Sequence, residues 1–166
     1  GKLLSFESRY DRLIPEVSDN WRFKDNYMAG LFYDLGPHRV HNAVDLFGIP
    51  KSVFAQLYLE ADGILVDDHF EIILNYKNGF KVFLGAEMFL RDDRAKLRLV
   101  GTKHSYVKYG HDVPDSVSYP IDEIYQESNL KSLLIDNNQT TYKVDLLKGK
   151  HFLFYEDFYN DFINKN

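Results

Sequence analysis

The chain has 166 residues, of which 45% are hydrophobic and 16% aromatic, enough apolar surface to bury one packed core and to argue against disorder. Its 20 Lys and Arg stand against 25 Asp and Glu, a net charge of −5, which argues against a nucleic-acid-binding protein. No apolar run approaches the roughly 20 residues of a membrane helix, so no membrane partner is expected. The absence of cysteine excludes a disulfide framework, a thiolate zinc site and a cysteine nucleophile, and suits a cytoplasmic protein.

The start of the chain has the pattern of a strand. Polar and apolar residues alternate over roughly residues 2–10, and a polar stretch containing Pro15 and Trp21 then predicts an irregular loop. The sequence opens on Gly1 rather than on methionine. We therefore expect residues 1–166 to be a single domain of a larger protein, or a processed product.

A helix is predicted over residues 31–47, where apolar residues recur every three to four positions. Gly48, with a proline two residues later, marks its end. Pro37 conflicts with this prediction, because proline lacks an amide hydrogen and clashes with the preceding helical turn. The helix should therefore either begin near Asp34 or be kinked at the proline.

The remainder of the chain is predicted to be mostly strands. Alternation with a period of two indicates them at roughly 53–60, 70–76, 80–90, 97–101, 104–109, 132–136 and 140–146. Asn78-Gly79 and Asn137-Asn138 mark two hairpin turns. Residues 112–130 are predicted as a loop, and the tail from about residue 150 as an amphipathic helix.

These elements define an α+β fold with an open, predominantly antiparallel sheet and helices packed on one face. Ile73 and Phe83 place apolar side chains on the other face, where we expect a partner to bind. The alternative is that these two side chains are scattered apolar residues exposed to solvent.

The segment with the most chemical content lies inside the predicted helix. The chain has no glycine-rich phosphate loop, no GxSxG and no HExxH. Asp34 and His38 are four residues apart, which puts a carboxylate beside an imidazole on one helical face and suits proton transfer. Gly36 between them is expected to allow close approach of another backbone or a ligand. The alternative interpretation is a solvated helix face.

Other polar clusters support weaker hypotheses. His41 and Asp45 extend the polar face, but ligands on a single helix rarely complete a coordination shell, so no metal is predicted. Asp67-Asp68 is interpreted as a turn. Residues 108–110 either border a pocket or only end a strand.

Several segments together resemble the C-terminal domain of the glucose–fructose oxidoreductase / inositol dehydrogenase (Gfo/Idh/MocA) family. Their order and spacing match over nearly the whole chain, and the most specific is the D-x-G-x-H helix followed by L-F-G-x-P. The segments are Phe6 to Arg12, Leu31 to His38, Leu46 to Pro50, Asp67 to Phe70, Val100 to Lys103 and Ser105 to Gly110.

The resemblance implies an open-sheet domain like the C-terminal domain of glyceraldehyde-3-phosphate dehydrogenase, following an N-terminal Rossmann domain that binds NAD or NADP. It implies that His38 exchanges the proton of a substrate hydroxyl and that Asp34 positions the substrate and the histidine. It also implies a homodimer or higher homo-oligomer formed through the free sheet face. His41 stands where the family often has aspartate, and His104 where it usually has glycine; the segment after Gly110 also departs from the family pattern.

The sequence therefore predicts the substrate-binding and acid/base domain of an NAD(P)-dependent oxidoreductase acting on a sugar, polyol or related hydroxy compound. Further candidates for contact with this small-molecule substrate are Arg12, Trp21, Tyr33, Lys108 and Tyr109. The 166 residues alone are expected to be inactive, because hydride transfer needs the cofactor-binding part. The alternative is a non-catalytic binding or assembly module.

Overall fold

The computed structural model describes residues 1–13, 23–24, 27–92, 94–110, 131–146, 150 and 152–164. Trp21 and the predicted loop over 112–130 lie outside the described residues. The elements in chain order are β1 (Leu3–Arg9), α1 (Leu31–Phe47), β2 (Ser52–Tyr58), β3 (His69–Asn75), β4 (Lys81–Glu87), β5 (Leu97–Gly101), β6 (His104–Tyr109), β7 (Lys131–Asp136), β8 (Thr141–Lys143) and α2 (Phe152–Ile163).

The described strands form one open sheet with the order β2-β3-β4-β1-β5-β6-β7-β8. Every neighbouring pair is antiparallel except β1 and β4, which are parallel. The predicted α+β class and open, predominantly antiparallel sheet are thus confirmed. The first strand of the chain lies in the middle of this sheet, and only a connection through α1, β2 and β3 brings β4 back beside it.

The hydrophobic core lies between α1 and one face of the sheet. Alternate residues of β3 and β4 are buried there, because side chains on a strand point in turn to opposite faces. They are Phe70, Ile72, Leu74, Val82, Leu84 and Ala86. Phe47 near the end of α1 joins this core through edge-on ring contacts, with centroids 5.1 Å from Phe6 and 4.8 Å from Phe80.

Helix α1 begins at Leu31 and continues through Pro37 to Phe47, so the predicted alternative start near Asp34 is wrong. Its first amides are satisfied from outside the helix: the Leu31 amide donates to the Asp67 carbonyl at 2.8 Å, and the Phe32 amide to Asp67 Oδ2 at 2.6 Å. The helix ends at Gly48 as predicted, with φ of 76° and an amide that donates to the Val44 carbonyl at 2.8 Å.

The Asp67-Asp68 pair is more than the turn that the sequence indicates, because both residues are buried. Asp67 caps α1, and burial raises the pKa of its carboxyl, although the Phe32 amide opposes the rise. Asp68 accepts hydrogen bonds from the amides of Glu60 at 2.9 Å and Ala61 at 2.8 Å. The two carboxylates thus fix the loop between β2 and β3 and the start of α1.

Helix α2 differs from α1 because none of its residues is buried. The predicted packing of helices on a sheet face therefore describes α1, while the apolar side chains of α2 are exposed. These are Phe152, Leu153, Phe154, Tyr155, Phe158, Tyr159, Phe162 and Ile163.

Candidate functional site

The polar face predicted on α1 is present on the solvent side of the helix. His38, His41 and Asp45 are exposed, and Asp34 is half-buried. Since the helix is continuous, Asp34 lies one turn before His38. The structure thus places the two side chains as neighbours on one helical face.

Gly36, between these two residues, has a role different from the one its sequence position indicates. We expected another backbone or a ligand to approach it closely. The space is instead filled by the Phe32 ring of the same helix, since a Cβ added at Gly36 would lie 2.6 Å from that ring. The absence of a side chain lets Phe32 pack edge-on against Phe70 in the core, with ring centroids 5.6 Å apart.

A cavity of about 380 Å³ lies between the second half of α1 and strands β1, β5 and β6. His38 lies one turn before Asn42, and Asn42 lines this cavity. The cavity therefore adjoins the polar face of α1. Its lining residues are Phe6, Ser8, Tyr10, Arg39, Asn42, Asp45, Leu46, Lys96, Leu97, Lys108 and Gly110.

The structure separates the predicted substrate-contacting residues. Lys108 lines the cavity, so residues 108–110 border a pocket as well as ending β6. Arg12 lies beside it, with its guanidinium carbon 5.6 Å from the centre of the Tyr10 ring. Tyr109, next to Lys108 on the strand, faces the opposite side of the sheet. Tyr33 is exposed on α1 and contacts the Phe32 ring edge-on at 5.6 Å.

Arg39 is a cavity residue that the sequence analysis missed. Its Nη1 donates to Ser8 Oγ at 3.2 Å, and its guanidinium carbon lies 5.3 Å from the centre of the Tyr10 ring. Burial lowers the pKa of this guanidinium. The sequence of the first strand could have indicated this site. Ser8 and Tyr10 are two and four residues after the core residue Phe6, so they lie on the same face of the sheet and put polar groups under α1.

A buried arginine lies on the other face of the sheet. Arg9 reaches across β4 at Gly85 and makes two hydrogen bonds to Glu71 on β3, Nη1–Oε2 at 2.9 Å and Nη2–Oε1 at 2.6 Å. Its Nε donates to Asp11 Oδ2 at 2.8 Å. Burial lowers the pKa of Arg9. The hydrogen bonds to the two carboxylates and their negative charges raise it by more, so the net shift is upward.

The N-terminus of α1 is not open to a dinucleotide. A pyrophosphate binds at a helix N-terminus that is open to it, but the carboxylate of Asp67 already accepts the Phe32 amide at the start of α1. No group of three or more His, Asp or Glu able to hold a metal ion occurs in the described ranges. Neither described helix is long and apolar enough to cross a membrane.

Comparison with known proteins identifies the fold and the relatives of this chain. The YvaA protein of Bacillus subtilis has a solved structure that matches with a TM-score of 0.81 at 22% identity, over 99% of this chain and 49% of that chain. This match shows a shared fold alone.

Two bacterial proteins are among the relatives that match in sequence. An uncharacterized oxidoreductase of Escherichia coli strain K12, YdgJ, is 38% identical over 112 residues, which are 68% of this chain and 32% of YdgJ. The NADP(+)-dependent scyllo-inositol 2-dehydrogenase IolW of Bacillus subtilis strain 168 is 30% identical over 108 residues, 65% of this chain and 30% of that enzyme. This chain thus spans about a third of the length of each relative.

The family model for the GFO/IDH/MocA C-terminal domain matches residues 1–107. These residues contain the whole polar face of α1 and every strand from β1 to β5. The predicted family is therefore confirmed: the chain belongs to the GFO/IDH/MocA family, through its C-terminal domain.

Proposed function

We propose that this chain is the substrate-binding and proton-transferring part of a cytoplasmic NAD(P)-dependent oxidoreductase that acts on a sugar, polyol or related hydroxy compound. The observation that carries the proposal is the position of His38, exposed on α1 one turn before Asn42, which lines the cavity between α1 and the sheet. Sequence relatives that are oxidoreductases, one of them an inositol dehydrogenase, support the reaction class.

In this proposal His38 holds or accepts the proton of the substrate hydroxyl, and Asp34 positions the substrate and the imidazole. Asp34 is suited to positioning because it is half-buried at the N-terminal half of a helix whose start is fixed by Asp67. The cavity beside His38 binds the remainder of the substrate, with Lys108 and Arg12 at or near its wall.

The cofactor is proposed to be held by another part of the parent protein. The start of α1 is occupied by the Asp67 carboxylate, so this helix offers its amides to no pyrophosphate. An NAD or NADP bound elsewhere would supply the hydride chemistry. The 166 residues alone are therefore expected to show no turnover with NADH or NADPH, and measurable turnover would contradict this division of labour.

The test of the proposal is steady-state kinetics of the parent oxidoreductase carrying His38→Ala. Loss of a residue that transfers a proton typically lowers kcat by about 10²–10⁴-fold. The KM for the cofactor should change little, because α1 does not cradle the dinucleotide.

His41→Ala is the matched control, since His41 is also an exposed histidine on α1. We expect this variant to keep kcat within a few-fold of the wild type. An unchanged kcat in His38→Ala, or equal losses in the two variants, would remove His38 from the proton-transfer role.

The open face of the sheet is proposed to bind a second copy of the chain. Ile73 and Phe83 lie on the face opposite α1, because their strand neighbours form the core, and Phe54 lies on the same face because it pairs with Ile73. We expect Phe83→Glu to shift the sedimentation coefficient from a dimer to a monomer at unchanged secondary structure. A wild-type chain that sediments only as a monomer would contradict the proposal.

A further inference from the structure

The cavity beside α1 has a charge opposite to that of the chain as a whole. The sequence carries a net charge of −5, yet Arg39, Lys96 and Lys108 line the cavity together with one acidic residue, Asp45. A cavity lined by several positive side chains raises the local concentration of anions, even in a protein with a negative net charge.

Arg39 contacts uncharged groups in this cavity. Its nearest described partners are the neutral Ser8 hydroxyl at 3.2 Å and the Tyr10 ring, and the Asp11 carboxylate acts on its charge only from beyond ion-pair distance. Its buried Nε has no hydrogen-bond partner among the described residues. A buried guanidinium donor without a partner loses its hydration without replacement, which leaves the charge of Arg39 poorly compensated.

The Tyr10 ring gathers further positive charge at the same place. The Lys96 Nζ lies 4.4 Å from the ring centre, and the guanidinium carbons of Arg39 and Arg12 lie 5.3 Å and 5.6 Å from it. A ring face attracts cations but carries no net negative charge. It therefore holds these three cationic side chains close together.

The size and position of the cavity fit a small substrate. Its volume of about 380 Å³ lies in the range of small-molecule sites, roughly 300–1,000 Å³. Ser8 and Asn42 in its wall can hydrogen-bond to hydroxyl groups. Arg39 directly follows His38 on α1, and because successive residues on a helix point about 100° apart, a compound held by its anionic group at Arg39 would have to extend around the helix to reach the exposed imidazole.

We propose that this cavity binds the anionic group of the substrate, a carboxylate or a phosphate monoester, so that the substrate is a sugar acid or a sugar phosphate rather than a neutral sugar or polyol. The identification of the bound anion as substrate rests on the proposed function above. The anion site itself depends only on the cavity residues.

The test is isothermal titration calorimetry of this chain with inorganic phosphate, D-gluconate and D-glucose 6-phosphate, with myo-inositol as the neutral comparison. We expect saturable binding of the anions and at least tenfold weaker binding of myo-inositol. Tighter binding of D-glucose 6-phosphate identifies a phosphate site, and tighter binding of D-gluconate identifies a carboxylate site.

Two variants that each remove one positive charge distinguish binding at the cavity from nonspecific attraction of anions to the protein. Arg39→Gln should weaken anion binding at least tenfold, while Lys81→Gln, an exposed position on β4, should leave it unchanged. The proposal is overturned if the wild-type chain binds none of the three anions, or if both variants weaken binding equally.

A third variant separates this proposal from the proposed function. His38→Ala should retain anion binding in the calorimeter, because His38 does not line the cavity. Anion binding together with unchanged kcat in the parent His38→Ala enzyme would remove the catalytic role and leave the anion site. A large loss of kcat in the parent His38→Ala enzyme, with no anion binding by the wild-type chain, would keep the catalytic role of His38 and overturn the anion site.

Discussion

The buried Arg9 and the half-buried Arg39 have opposite surroundings. Arg9 lies on the open face of the sheet, where Glu71 and Asp11 accept three hydrogen bonds from its guanidinium. Arg39 lies at the cavity on the other face, against a hydroxyl and an aromatic ring. The pKa of Arg9 is accordingly raised by its carboxylate partners, whereas burial lowers that of Arg39.

The contrast separates a structural cation from one suited to bind a ligand. The charge of Arg9 is neutralised inside the domain, and Gly85 leaves the space in which its side chain crosses β4. Arg39 forms no such ion pair with a described carboxylate, although the charge of Asp11 acts on it from a longer distance. Substitutions at the two positions should therefore affect different properties, Arg9 the stability of the fold and Arg39 the binding of an anion.

The largest effect on stability is expected from Arg9→Gln. This change removes the cation that donates to both Glu71 and Asp11, and it leaves the Asp11 side chain, only 3% exposed, with Arg94 at 3.6 Å as its remaining described cation. Breaking a buried ion pair by removing one partner costs about 3–5 kcal/mol. Urea denaturation should show that decrease in the free energy of unfolding.

Arg39→Gln is the matched control for Arg9→Gln. It removes one hydrogen bond to Ser8, worth about 1 kcal/mol, but leaves no described carboxylate unpaired and relieves the burial of a charge. The free energy of unfolding should therefore change by less than about 1 kcal/mol. Equal destabilisation by the two variants would end the distinction between the two arginines.

An intermediate effect is expected from Gly85→Ala. A Cβ at this position would lie 2.7 Å from Arg9 Nη1 and 2.9 Å from Cζ, and the guanidinium is held in place by Glu71 and Asp11. Crowding of a packed site typically costs about 1–3 kcal/mol, measured as a decrease in the free energy of unfolding.

The cause of that loss can be isolated in a double-mutant cycle with Arg9→Gln. If the added methyl group acts by displacing the guanidinium, Gly85→Ala should cost less once Arg9 is replaced. Strictly additive losses would show that Gly85 matters for some reason other than the passage of Arg9.

The smallest effect is expected in the pH dependence of stability through Glu71. Burial raises the pKa of this carboxyl. The hydrogen bond from Arg9 and its positive charge lower the pKa by more than burial raises it, so the net shift is downward. A lowered folded-state pKa contributes stability above the unfolded value of about 4.3, and that stability is lost as the pH falls through the folded-state value.

Between pH 6 and pH 3 the free energy of unfolding should therefore decrease less in Glu71→Gln than in the wild type. The difference should be only on the order of 1 kcal/mol, because a third of the Glu71 side chain is exposed and solvent screens its charge. Urea denaturation at the two pH values measures the difference. Glu156→Gln, at an exposed position on α2, controls for the loss of one carboxyl. Identical curves for the wild type and Glu71→Gln would contradict the assignment.

The sequence predicted local elements well, because each described helix and strand has its own periodicity. The bounds of α1 and the two hairpin turns follow from residues that act on their neighbours, such as Gly48 and Asn78-Gly79. The parallel pairing of β1 with β4 could not be read in this way, since it joins segments more than 70 residues apart.

The site shows the same limit. The spacing of Asp34 and His38 predicted that they share one face of a helix, and the continuous helix confirms this placement. The cavity is built from four separate segments, and side chains such as Tyr10, Arg39 and Lys96 meet only after folding. The roles of Gly36 and Asp67 were also missed, because a ring on the same helix and a distant helix terminus decide them.

The central claim is that α1 presents the proton-transfer residue to the substrate. The most direct measurement is a crystal structure of the parent oxidoreductase with its cofactor and a bound substrate. The account predicts that the reacting hydroxyl lies within hydrogen-bond distance of the His38 imidazole, about 2.6–3.2 Å. A substrate whose reacting hydroxyl contacts no residue of α1 would contradict it.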